Sequence, residues 1–148
     1  MDDSGITILE ILTALTLSGI LAASAVFEFA ELDAAWRLQS GVRQVALDLR
    51  MARIGAIARA TALRLRFEEG SASYTREVKS AHGTYSAPSG PRLLPRGVRI
   101  SSCTARGSAV SFQPRGNAGT FGTITLLGPD GATRHIVVDL VGRVQVRR

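Results

Sequence analysis

The sequence has a single cysteine, Cys103, so it can close no internal disulfide. In an oxidising compartment a lone thiol is either buried or joined to another chain. Burial is expected here, because Cys103 adjoins the strand-like run 98–102. Histidine is scarce too, with only His82 and His135. No Cys/His cluster has metal-ligand spacing, and no Ser/His/Asp or paired-carboxylate arrangement is present. The sequence therefore points away from a metal centre, a cofactor and an enzyme. Aromatic residues make up 5% of the chain, which leaves few platforms for stacking bases. Lysine is nearly absent: of 18 basic residues, Lys79 alone is not arginine. Arginine suits bidentate phosphate and carboxylate contacts, although a GC-rich genome gives the same bias.

The chain has 148 residues and a formal charge of +6. That length fits one domain plus an anchor. The most informative stretch is Ser4-Gly5-Ile6-Thr7-Ile8-Leu9-Glu10, followed by an apolar run from Ile11 to Phe27. The run is at the short end of the roughly 17–25 residues that span a bilayer as a helix. Adding Ile6–Leu9 makes a full span with Glu10 about one turn inside it. A carboxylate at such a depth costs roughly 2.5–3.5 kcal/mol on insertion scales, so it usually has a partner. Two simpler readings are a secretory signal ending near Ala23-Ser24-Ala25 and a plain single-pass anchor. The first lacks a basic n-region and carries a glutamate where its apolar stretch begins.

This start resembles the class III signal of type IV pilins and type II secretion pseudopilins. The resemblance implies that a membrane prepilin peptidase cuts after Gly5 and that the new first residue, Ile6, is methylated. It also implies that Glu10, the fifth mature residue, docks the subunit in a filament. Pairing the Glu10 carboxylate of one subunit with the Ile6 ammonium of a neighbour would offset two desolvation costs at once. Small residues Ala14, Ser18, Gly19, Ala22 and Ala23 would let neighbouring helices approach closely. The leader Met1–Gly5 departs from the family in being short and acidic, and Ile6 replaces the family's usual phenylalanine. A start codon upstream would supply a basic leader.

Past the membrane segment the helix continues. No proline interrupts 34–60, and Ala, Leu and Arg dominate. Leu38, Val42, Val45, Leu49, Ala52 and Ala56 fall on one face, with Ser40, Arg43 and Arg50 roughly opposite. Leu47 and Ile54 also lie on that far side and are expected to meet neighbouring subunits. Asp33 and Arg37 form an i,i+4 pair of favourable order. One helix from about Ile6 to Arg59 is predicted, with Gly41 and Gly55 as points where it could bend.

The period then changes. Thr61–Phe67 alternates as a half-buried strand does, Glu68-Glu69-Gly70-Ser71 reads as a hairpin turn, and 72–78 is the return strand. Residues 80–97, rich in Ser, Gly and Pro, read as a surface loop. Strands follow at 98–102, 109–113, 120–127, 134–140 and 143–146, with turns at Pro114-Arg115-Gly116 and Gly128-Pro129-Asp130-Gly131. Phe112 and Phe121 read as core. Gly116, Gly119 and Gly122 read as tight turns rather than a phosphate loop, because no Gly-Lys-Ser/Thr follows. A long helix followed by short strands is an α+β pattern, a pilin-like helix packed on an antiparallel sheet domain.

The stretch 48–67 is similar to the helix-to-strand junction of the GspH/FimT group of minor pilins, through Arg53, Ala56, Ile57 and Leu63–Phe67. Further matches lie at 111–116, 122–126, 135–138 and 141–144, which include Gly142-Arg143. The chain is thus identified as a GspH/FimT-like subunit with a leader (1–5), a transmembrane or filament-core helix (6–30) and a periplasmic domain (31–148, helical to 59 and sheet from 61).

The resemblance implies a minor pseudopilin of type II secretion in the bacterial inner membrane. Its expected partners are other pseudopilins or pilins, the prepilin peptidase and exported proteins. The alternative is a FimT-like minor pilin that binds DNA through a C-terminal Gly-Arg-x-Arg motif. Here the motif reads Gly142-Arg143-Val144-Gln145, with Arg147 and Arg148 just beyond. From Arg92 onward, nine arginines stand against Asp130 and Asp139, enough charge to hold phosphate by counterion release. The incomplete motif ranks secretion first.

Overall fold

The structure, a computed structural model, describes residues 7–147, apart from the side chains of 24–31. Among the described residues, helix α1 runs Ile8–Ala58 and ten strands follow it. The chain divides into two compact units, Met1–Asp33 and Ala34–Arg148.

In the first unit, every described side chain from Thr7 to Ala23 is exposed. Thr7 caps the helix: its backbone carbonyl and its Oγ1 accept from the Glu10 N–H at 3.0 and 3.3 Å. Thr7 and Glu10 stand at the spacing of a capping box, and the Glu10 charge favours the positive end of the helix dipole. Thr13 and Thr16 donate their hydroxyls to the carbonyls of Glu10 and Thr13, both at 2.9 Å. Their polarity is thus absorbed by the helix itself. Among the described residues, no helix is long and apolar enough to cross a membrane. The expected segment 6–30 extends past the described side chains at both ends.

In the second unit the helical face behaves as predicted. Leu38, Val42, Val45, Leu49, Ala52 and Ala56 are all buried, while Leu47, Ile54 and the two arginines 43 and 50 are exposed. The glycines there serve packing. A Cβ on Gly41 would stand 3.2 Å from Val98 Cγ1, and one on Gly55 would stand 3.4 Å from Leu63 Cδ1. The helix ends in a Schellman motif: the Thr61 N–H donates to the Ala56 carbonyl and the Ala60 N–H to that of Ile57. Ala60 fills the left-handed position usually given to glycine, at φ 48°.

The strands form two antiparallel sheets where one was expected. The first is built on β1 (Leu63–Phe67), flanked by β2 (Ser73–Lys79) and by β6 (Ala109–Phe112), which pairs with β7 (Ala118–Thr120). The second runs in the order β10 (Val144–Arg147), β9 (Thr133–Val138), β8 (Gly122–Leu127), β5 (Arg99–Cys103). Leu65, Phe67 and Phe112 of the first sheet join Ile100, Ile124, Leu126 and Ile136 of the second and the buried helix face in one core.

Three expectations need correction. The run 120–127 is two strands, because the chain leaves the first sheet at Thr120 and enters the second at Gly122. Gly122 belongs to that crossing and not to a tight turn. A Cβ there would meet the Ala105 backbone nitrogen at 2.6 Å. Gly119 likewise sits within β7, where a Cβ would meet the Gln113 and Ser111 side chains. Phe121, at the crossing, is 53% exposed and lies outside the core, whereas Phe112 is fully buried. Alternation alone could not show that the strand changes sheets.

Nor is 80–97 a featureless loop. It holds β3 (Tyr85–Ser86) and β4 (Pro91–Leu93), both paired with β2. Arg92 Nη1 donates to Asp48 Oδ1 at 2.7 Å, and Gln44 Nε2 to the Leu93 carbonyl at 2.8 Å. Tyr74 donates its hydroxyl to the other Asp48 oxygen. Burial and this carboxylate push the Tyr74 phenol well above its ordinary range. Helix, hairpin and strap therefore share one buried polar knot.

A left-handed alanine costs roughly 1–2 kcal/mol that glycine avoids, less the extra chain entropy of glycine. Ala60→Gly is therefore expected to raise stability by about 0.5–1 kcal/mol. Equilibrium urea unfolding reads this, and an unchanged or lower midpoint would contradict the helix ending described.

Candidate functional site

The expected site residues fall at opposite ends of the chain. Gly5, Ile6 and Arg148 lie outside the described residues. Glu10 is exposed in the first turn of α1, where its backbone N–H donates to Thr7 Oγ1. Ala14, Ser18 and Ala22 follow it at i,i+4 spacing as exposed small residues, with Gly19 and Ala23 beside them. A Cβ on Gly19 would meet nothing within 4 Å, so this stretch is open on the isolated chain.

Of the C-terminal arginines, Arg143 lines a groove that Arg147 does not. Arg143 and Arg147 are both exposed, at the two ends of the Arg143–Arg147 segment. Arg147 pairs across the sheet with His135, which contacts Thr125 Oγ1 through Nδ1 at 3.1 Å. That histidine reads as a strand residue with a local partner. Arg143 instead converges with two arginines of α1. Arg50, Arg53 and Arg143, with Ile54, Gly142 and Val144, line a groove of about 400 Å³. The i,i+3 spacing of Arg50 and Arg53 was visible in the sequence, but their meeting with the 142–144 turn was not.

The groove is held by a close junction of three segments. Arg53 Nε donates to the Gly116 carbonyl at 2.8 Å. Gly142, at φ 80°, lies so near that a Cβ on it would reach the Gly116 oxygen at 2.6 Å and Arg53 Nε at 3.3 Å. Gly116, at φ 85°, would place its own Cβ 2.9 Å from Ile57 Cδ1. The turn itself is closed by Asp139, whose Oδ1 accepts the Arg143 N–H at 2.7 Å. The Arg53 guanidinium and the two distant glycines are thus parts of one contact.

Cys103 is buried, and burial raises its thiol pKa above the ordinary value, with Glu69 adding to the rise. Glu69 also accepts the Cys103 N–H at 3.2 Å. Among the described residues, no group of His, Cys, Asp and Glu could hold a metal ion.

The second part of the helix is bedded in the two-sheet antiparallel β-domain. A family profile described as Type II transport protein GspH matches residues 41–142. The chain belongs to the GspH family. No curated protein matches the sequence.

Among solved structures, the fold is similar to the minor pseudopilin EpsH from the Type 2 Secretion System of Vibrio cholerae. The TM-score there is 0.61 at 10% identity, covering 75% of this chain and 96% of that one. It is also similar to the type IV minor pilin FimU of Pseudomonas aeruginosa, with a TM-score of 0.59 at 19% identity over 81% of this chain and 92% of that one.

Two outcomes follow from the junction and the thiol. Gly142→Ala combines a left-handed alanine with a collision, so a loss of about 2 kcal/mol or more is expected. Gly131 shares the positive φ but has open space, so Gly131→Ala is expected to cost only about 1 kcal/mol. Equal urea midpoints would contradict the junction. Cys103 is expected to resist iodoacetamide in the folded chain at pH 8 and to react once denatured, as intact mass would read. Rapid labelling of the folded chain would contradict its burial.

Proposed function

We propose that this chain is a minor pseudopilin of a type II secretion system, a non-enzymatic subunit that helps initiate assembly of a periplasmic filament and so supports protein export. One observation carries the reading. A GspH-family β-domain is joined to a helix whose described first part exposes Ile8, Leu9, Leu12, Leu15 and Ile20 around the single carboxylate of Glu10. An apolar surface of that extent needs lipid or neighbouring helices to cover it. On this reading residues 6–30 anchor the precursor in the inner membrane and later pack in the filament, with 31–148 in the periplasm. The prepilin peptidase cuts between Gly5 and Ile6, and Glu10 pairs with the Ile6 ammonium of a neighbouring subunit. Other pseudopilins are the partners along the filament, and exported proteins are met by the periplasmic domain.

A second reading is a FimT-like minor pilin that binds DNA through Arg143, Arg147 and Arg148. The exposure of Arg143 and Arg147 favours it. Against it stand the incomplete motif and the absence of Arg147 from the groove that Arg143 lines. In a titration of the chain with DNA over a salt series, secretion predicts no binding at low salt. Micromolar binding with a steep salt slope, lost on replacing all three arginines, would instead support DNA uptake.

Replacing Glu10 with alanine is expected to leave the β-domain folded, with an unchanged urea midpoint. Recovery with partner pseudopilins is expected to fall about tenfold, since a paired charge in an apolar setting is worth more than about 1.4 kcal/mol. Normal co-purification would count against the docking role.

A further inference from the structure

We infer that the groove between α1 and the 142–144 turn is a receptor for an acidic peptide segment of a partner protein. This rests on the filament-subunit reading only in taking the partner to be a protein. Arg50 and Arg143 are exposed, and their side chains make no ion pair or hydrogen bond among the described residues. Arg53 is held in place by the Gly116 carbonyl, so one wall of the groove is fixed before any ligand arrives. Asp139, the nearest acidic residue on the turn, has an oxygen engaged by the Arg143 backbone N–H. Three guanidinium groups therefore converge on a concave site with no carboxylate lining it. Guanidinium groups take carboxylates in a bidentate manner, with charge-assisted hydrogen bonds.

The surroundings favour a peptide over a nucleic acid. The groove wall includes Ile54, and the exposed side chains beside it in sequence are Met51, Ile57, Leu140 and Val141. Ile54 and Val144 give the charged groove an apolar wall, which suits a peptide whose acidic residue has apolar neighbours. A phosphate backbone would be followed by a basic track, yet Arg147, at the far end of β10, does not line the groove. Phe121 lies outside the groove lining as well, so no aromatic platform adjoins the arginines.

The test uses the full chain in detergent micelles. The probe is a fluorescein-labelled Glu-Leu-Glu-Leu-Glu peptide, read by anisotropy at low salt. Its Gln counterpart corrects for apolar partition into the micelle, and a single-stranded oligonucleotide of comparable charge is the competing probe. The Glu peptide is expected to bind, and Arg50→Glu with Arg143→Glu to weaken it at least tenfold. Arg106→Glu, in the 3-10 turn Arg106–Ser108 at the other end of β6, is expected to change it less than twofold. Should the double reversal fail to fold, Arg50→Gln with Arg143→Gln is expected to weaken binding about fivefold.

No binding by the unmodified chain would overturn the inference. So would equal loss with Arg106→Glu, or capture of the oligonucleotide in place of the peptide. Peptide binding in a chain that never joins a filament would keep the groove and sink the filament reading instead.

Discussion

Burial of one helix face, from Leu38 to Ala56, beneath two antiparallel sheets is the constraint on which the rest of the molecule depends. Each Leu or Val taken wholly out of water there contributes roughly 1.5–3 kcal/mol. That face is consumed by the chain's own core. The turn of the helix that carries it also fixes which residues are left over. Leu47, Met51 and Ile54 fall at i, i+4 and i+7 on the outer side and stay exposed. Arg50 and Arg53 are set at the seam between the two. A single rotation of the helix would exchange core for surface, so the positions of the arginines follow from the packing of the leucines and valines.

Two kinds of charge chemistry are kept apart by this arrangement. Near the start of the helix one carboxylate stands among exposed apolar side chains, where isolation is costly and a partner is worth most. In the second unit Arg50 and Arg143 sit in water, where single ion pairs are worth little and convergence matters more. The buried polar groups are handled differently again. Asp48, Glu77 and Ser111 are each tied down, by Tyr74 and Arg92, by Arg64, and by Thr120. No buried side-chain nitrogen or oxygen among the described residues is left without a partner. Arg64 also lies 3.8 Å over the Tyr85 ring, so the strap formed by residues 80–97 is held to the hairpin through Tyr85 and to the helix through Arg92.

Much of this was legible in the sequence because the signals were local and periodic. The helical face, the first hairpin with Gly70 in its turn and the burial of Cys103 all follow from spacing of 3.6 or 2 and from adjacency. What was hidden depends on contacts far apart in sequence. Nothing near Phe121 marks it as the point where the chain changes sheets. Pro, Gly and Ser around β4 read as loop because three strand residues carry no period. The groove needed Arg50, Arg53 and Arg143 together, and only the close approach of Gly116 and Gly142 brings them there. Those glycines were visible as letters, but their purpose is a distance.

The central claim is that this GspH-family chain works as a processed filament subunit. The intact mass of the chain recovered from membranes tests it most directly. A chain that begins at Ile6 and is one methyl group heavier than its sequence would match the account. A chain that still carries residues 1–5, or one cut after Ala25, would contradict it.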